Sequence, residues 1–140
     1  MVLVVSGPSG AGKDTVLNLL KECGLLADFI VTVTTRQRRD YEVDGVNYHF
    51  VCENDFLQMI NDNELLEFAK VYGNWYGVPK EQVRNAIDNG RDAIIKVDIQ
   101  GATTIKKNMP EACFIFVTPP AIEDLLERLE KRNTETAKDR

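Results

Sequence analysis

At 140 residues, 44% hydrophobic and 28% charged, the chain has the balance of one globular domain that buries roughly two thirds of its unfolded surface. Its 17 Lys and Arg against 22 Asp and Glu give a formal charge of −5, which weighs against a general grip on nucleic acid or anionic membrane. No apolar run approaches the ~18 residues of a membrane span, and the four apolar residues behind Met1 are too short for a signal peptide, so a cytoplasmic protein is expected.

The first element is an apolar strand, Val2-Leu3-Val4-Val5, followed by Gly7-Pro8-Ser9-Gly10-Ala11-Gly12-Lys13-Asp14-Thr15. Buried strand, glycine loop and helix, in that order, aim backbone N–H groups and a helix N-terminus at a nucleotide phosphate. With the spacing G-x4-G-K, Lys13 is placed to reach the β and γ phosphates, and Ser9, Gly10, Ala11, Gly12, Asp14 and Thr15 complete the cradle. A plain glycine-rich turn is the alternative. Asp14 stands where a Ser or Thr hydroxyl usually binds Mg²⁺. A carboxylate oxygen is also a hard ligand, so Asp14 is the candidate metal residue and Mg²⁺ the expected cofactor.

Farther along, a helix is expected from Asp14 to Cys23, stopped near Gly24, and then a β-branched strand from Phe29 to Val33. From Thr34 to Gly77 the texture changes to short strands and turns. Asn47 to Val51 and Leu65 to Val71 alternate as strands, and a helix runs from Glu53 to Asn61. Pro79 suits the first turn of a helix reaching Asn89 and closed by Gly90. Ala93 to Val97 is a buried strand ending at Asp98, Gln100 to Asn108 a helix, and Ala112 to Val117 a third strand of the sheet. Pro119-Pro120 precedes a charged helix from Ile122 to Arg132. This alternation predicts an α/β fold, a P-loop-like parallel sheet flanked by helices. Its core is 1–33 and 78–120, with an inserted small mixed α+β lobe at 34–77 and a partial lid at 121–140. A sheet of three parallel strands is thin, and the chain stops as the lid opens, so further C-terminal elements are expected. Cys23, Cys52 and Cys113 follow no metal or redox spacing and read as buried thiols in a reducing cytosol, and the lone His49 is a poor general base.

A second constellation follows the first. Thr34-Thr35-Arg36-Gln37-Arg38-Arg39 puts three guanidinium groups within four residues of an acidic chain. Arginine's planar fork matches a phosphate bidentately, so the cluster suits a compact dianion; a solvated basic turn is the alternative. Glu42, Gly45, Tyr48, Phe50 and Val51 extend it to T-T-R-x2-R-x2-E-x2-G-x2-Y-x-F-V.

That pattern, together with the phosphate loop, resembles the signature of guanylate kinases, from Val2 to about Thr136. The resemblance implies a P-loop enzyme that transfers phosphate from ATP to GMP, with 34–77 as the GMP-binding lobe. It implies that Arg36, Arg39, Tyr48 and Tyr76 bind the GMP phosphate, and that Thr32 and Glu67 read the guanine edge. By the same resemblance Asp98 supports the substrate arginines and metal-bound water, while Arg128 and Arg132 close over the ATP phosphates. Catalysis would then rest on Lys13, Arg36, Asp98, Arg128 and Arg132, with GMP and ATP as small-molecule partners and neither nucleic acid nor membrane involved.

Chemistry supports several of these roles independently. A carboxylate such as Glu67 accepts from guanine N1–H and N2–H₂ together, a donor pair that adenine lacks. Read alone, Glu67 is equally a surface residue on an alternating strand, and Tyr48 and Tyr76 half-buried strand aromatics. Asp98 is a Walker-type acid at a strand's carboxyl end or a helix-capping aspartate. Arg128 and Arg132, four apart, also suit a salt-bridged helix surface. The chain departs from the family pattern at Asp14, at Val78 (often a hydroxyl residue, the loss of one hydrogen bond costing about 1 kcal/mol) and at Lys96 (often acidic). Relatives carry a further lid arginine and adenine contacts beyond this length. A related P-loop kinase with another phosphorylated acceptor, and a non-catalytic guanylate-kinase-like binding module, are the two rival readings; the retained Lys13 and loop glycines oppose the second.

Overall fold

The computed structural model describes residues 1–8, 10–24 and 26–118, and within them two four-stranded sheets. β1 (Val2–Ser6) is apolar on both faces because it lies inside a parallel sheet covered on both sides. It pairs with β7 (Asp92–Lys96) and β8 (Cys113–Phe116), and β7 pairs with β2 (Ala27–Phe29), all parallel, in the order β2-β7-β1-β8. Among the described residues the sheet therefore has four strands rather than the expected three.

The second sheet has the order β4-β3-β6-β5. Its members are β3 (Val33–Thr34), β4 (His49–Phe50), β5 (Leu65–Val71) and β6 (Asn74–Pro79). Phe56 of α2 (Glu53–Asn61), Val33 and Leu65 form its apolar core, with Trp75 stacked on Phe56 at 5.6 Å.

The expected single strand from Phe29 to Val33 is divided between the two sheets. Ile30 N–H still bonds Ile94 O at 2.9 Å, but both backbone groups of Val31 turn to the Gln82 side chain, at 2.8 and 3.0 Å. One amide thus satisfies the backbone of the crossing residue, and β3 begins two positions later in the other sheet. Strand β6 has no counterpart in the sequence reading, because Gly77 and Pro79 dilute its β propensity. Gly77 leaves room for the lobe's core: a Cβ would meet Leu65 Cδ1 at 2.8 Å and Phe56 Cζ at 3.0 Å, and those side chains would have to shift. Pro79 closes β6 and is the N-cap of α3 (Lys80–Asp88) rather than a residue of its first turn. The strand expected over Asn47 to Val51 shrinks to His49–Phe50.

Helix α1 (Lys13–Glu22) lays Leu17 and Leu20 against Val5, Ala27 and Ile94 on one face of the larger sheet. On the other face, α3 and α4 (Ile99–Asn108) bury Val83, Ala86 and Ile105 against Val4, Ala93 and Ile95. All three cysteines are exposed, against the expectation of buried thiols. They sit where chain ends and edges lie: Cys23 caps α1, Cys52 caps α2, and Cys113 is on the flanking strand β8. No described helix is long and apolar enough to cross a membrane. The helix expected over Ile122 to Arg132 lies outside the described residues.

Candidate active site

The carboxyl ends of β1 and β7 open into a cleft of about 830 Å³ lined by residues of both sheets. In open α/β sheets this is the crevice where ligands bind.

One wall is the turn between β1 and α1. Gly7 has φ +148°, and a Cβ on it would lie 2.2 Å from Val117 O, so only glycine lets the loop pass the end of β8. Gly12, left-handed at φ 101°, starts α1 and carries no side chain to occupy the helix's first N–H groups. Gly10, Lys13 and Asp14 line the cleft, and Lys13 Nζ donates to Gly7 O at 2.7 Å. Ala11 is buried under the loop, and Thr15 is exposed on α1 away from the cleft lining. Ser9, Arg128 and Arg132 lie outside the described residues.

The facing wall is the arginine loop, held by a carboxylate that the sequence did not single out for that task. Glu42, 5% exposed, accepts from Arg36 through both oxygens at 3.0 and 2.8 Å and from Arg39 N–H at 2.8 Å. Burial alone would raise the Glu42 carboxyl, but the Arg36 and Arg39 bonds outweigh it and hold it below the usual range. Burial likewise works against the Arg36 charge, and Glu42 more than restores it. Thr34 and Thr35 tie this loop to β6: Thr34 Oγ1 donates to Trp75 O at 2.8 Å, and Thr35 Oγ1 accepts from Trp75 N–H at 2.9 Å. Arg38 is spent on the backbone, donating to Glu42 O at 2.7 Å, so Arg36 and Arg39 are the arginines that line the cleft. Tyr48 and Tyr76 stand beside them, ring centroids 6.1 Å apart, with Arg36 Cζ 5.2 Å from the Tyr48 ring. Burial, and then Tyr48, raise the Tyr76 hydroxyl, which therefore stays a neutral donor.

Thr32 and Glu67 line the same cleft, 6% and 4% exposed. Glu67 Oε2 has no hydrogen-bond partner among the described residues, and its cross-strand neighbour Val78 is fully buried in the apolar core, offering no donor. Burial, then the Asp98 carboxylate, push Glu67 up from 4.5 to about 7. Gly101 packs closely on this carboxylate: a Cβ there would lie 3.1 Å from Glu67 Oε1, so the two would have to part by a few tenths of an ångström. Asp98 has a cap's bond: its Oδ1 accepts from Gly101 N–H at 2.8 Å, at the start of α4, while the residue still lines the cleft.

A phosphate loop, two cleft-facing arginines held by one glutamate, and a buried carboxylate thus share one cavity. The family profile described as guanylate kinase matches residues 1–140. The chain belongs to the guanylate kinase family. It is 46% identical over 135 residues to a guanylate kinase of Carboxydothermus hydrogenoformans, covering 96% of this chain and 66% of that one. Against guanylate kinase 2, chloroplastic/mitochondrial, of Oryza sativa it is 48% identical over 138 residues, covering 98% of this chain and 48% of the relative. The crystal structure of guanylate kinase from Anaplasma phagocytophilum superposes with a TM-score of 0.81 at 36% identity, covering 94% of this chain and 66% of the other. The chain thus spans slightly less than two thirds of the length of the Carboxydothermus hydrogenoformans relative and about half that of the Oryza sativa one.

Within this guanylate kinase fold, Asp14, the residue expected to act as magnesium ligand, is engaged by a lysine. Its Oδ1 accepts from Lys96 Nζ at 2.8 Å, so a divalent cation there would share a single carboxylate with an ammonium. Among the described residues no group of three or more His, Cys, Asp or Glu side chains converges on a metal position. Lys96 and Glu42 are the two residues whose roles the sequence did not disclose. The signals were a lysine closing an apolar strand where the family pattern is often acidic, and a glutamate at a fixed place in the arginine motif.

Proposed function

We propose that this chain catalyses ATP-dependent phosphorylation of GMP to GDP, with 34–77 as the substrate lobe and GMP and ATP as its partners. The observation that carries the reading is Glu67, a buried carboxylate with an unpartnered oxygen in the cleft that Lys13, Arg36 and Arg39 also line. Guanine's adjacent N1–H and N2–H₂ donors would satisfy it, whereas adenine would leave it unpaired. Thr32 would assist at the base, and Arg36, Arg39, Tyr48 and Tyr76 would hold the monophosphate.

The transfer needs no protein nucleophile. A GMP phosphate oxygen attacks the γ-phosphorus of ATP in line, the bond from that phosphorus to the β,γ-bridging oxygen breaks, and ADP leaves. Lys13 and the loop N–H groups hold the donor phosphates, and Arg36 neutralises charge on the transferred group. Arg128 and Arg132 are expected to add to this from outside the described residues. ATP enters this reading as its magnesium complex, with Asp14 as the residue that would offer the metal a carboxylate oxygen.

The test is GDP formation from ATP with GMP, compared with AMP as acceptor, in the presence of Mg²⁺. GDP from GMP and no ADP-forming transfer to AMP is the expected result. Selective GMP binding without any GDP would contradict the catalytic reading and favour a binding module.

A further inference from the structure

Lys96 closes β7, an inner strand of the larger sheet, and is flanked by the buried Ile95 and Val97. Nothing in the packing of that strand asks for an ammonium, and placing one where its side chain is only 21% exposed is costly unless it is paired. Its partners come from two different walls of the cleft. Asp14 Oδ1, on the first turn of α1, accepts from Nζ at 2.8 Å, and the Tyr48 hydroxyl, just ahead of β4, accepts at 3.3 Å. The ammonium also lies 4.9 Å from the centroid of the Tyr48 ring, the same ring that has Arg36 Cζ at 5.2 Å.

From this placement we propose that Lys96 is a phosphate-binding residue of the acceptor site, an ammonium built into the seam between the phosphate loop and the arginine loop. The proposal rests on the acceptor reading above and adds a contact to it. An ammonium has three donors, and Asp14 and Tyr48 are its two hydrogen-bond partners among the described residues, which leaves one for a ligand. The ion pair is also lopsided. Lys96 is 21% exposed and lines the cleft, whereas Asp14 is 60% exposed, so solvent screens the carboxylate more than the ammonium. Burial pulls the Lys96 proton affinity down, but Tyr48 and Asp14 together outweigh it, so the group stays charged. Arg36 already shares its charge with Glu42 through two bonds, which makes a further cation beside Tyr48 useful to a dianion.

The test compares GMP with guanosine, which differ by the phosphate alone, by calorimetry on the wild-type chain and on Lys96→Met. The variant is expected to bind GMP about tenfold more weakly, as for loss of one charged hydrogen bond, with guanosine affinity unchanged. An unchanged ratio of GMP to guanosine affinity in Lys96→Met would overturn the proposal while leaving the GMP reading intact. Parallel loss of both ligands would make Lys96 a structural clasp only, and would equally overturn it. Failure of the wild-type chain to prefer GMP over AMP would instead bring down the acceptor reading itself, and this contact with it. Should Lys96→Met not fold, trace acetylation of the wild-type chain decides: GMP is expected to slow labelling of Lys96 at least severalfold and guanosine not to. Equal labelling in the two would refute the assignment.

Discussion

The phosphate loop and the arginine loop line one cleft and are built by different means. The first works through backbone: Gly7, Gly10 and Gly12 all have positive φ, and Lys13 folds back onto Gly7 O. Its shape follows from a short run of sequence and needs only the end of β8 to pass beside it. The second works through side chains, with Thr34, Thr35 and Arg36 each held by a distant or buried partner. Arg36 depends on Glu42, and Thr34 and Thr35 depend on Trp75, some 40 residues away in sequence. A backbone cradle is thus locally encoded, while a side-chain cradle is assembled by tertiary structure.

The comparison breaks at the base-reading end if Glu67 carries no selectivity. Glu67→Gln keeps the shape and one acceptor but loses the second, so the preference for GMP over AMP is expected to fall roughly 100-fold, as read by competition binding. Retained preference would mean that the arginine-loop side of the cleft selects its ligand without the buried carboxylate.

The side-chain cradle should be the more fragile of the two. Glu42→Ala strands the buried Arg36 guanidinium, and is expected to cost about 3 kcal/mol in urea unfolding while weakening GMP binding. Gly7→Ala sets a Cβ against Val117 O at a backbone angle that alanine resists, and should cost about 2 kcal/mol. A smaller loss for Glu42→Ala than for Gly7→Ala would reverse the ranking.

The smallest expected effect is a pH dependence. In the proposed complex guanine pairs with the ionised form of Glu67, whose carboxyl is pushed up to about 7 in the folded chain, so GMP affinity should rise about tenfold from pH 6 to pH 8. Glu67→Gln should be flat in that part. Stability runs the other way. Between 4.5 and about 7 the folded chain keeps a proton that the unfolded chain has released, so this group lowers stability as pH rises through that window. Thermal melts at pH 5 and pH 8 should therefore differ less in Glu67→Gln than in the wild-type chain.

The same division between local and tertiary encoding decides what could be read in advance. Helix α2 and strand β5 run over the residues that periodicity picked out, Glu53–Asn61 and Leu65–Val71, because each carries its own apolar face. β6 was hidden because its glycine answers to Leu65 and Phe56 rather than to strand propensity. The break between β2 and β3 was hidden because its cause is Gln82, 51 residues away from Val31. Asp98 was open between cap and acid, and the cap is present without removing the residue from the cleft. The pairing of Asp14 with Lys96, 82 residues distant in sequence, was hidden for the same reason.

The most direct measurement is a calorimetric titration of the wild-type chain with GMP and with AMP under identical salt and pH. The account predicts saturable GMP binding and AMP binding weaker by about 100-fold or more. Equal affinity for the two nucleotides would contradict it.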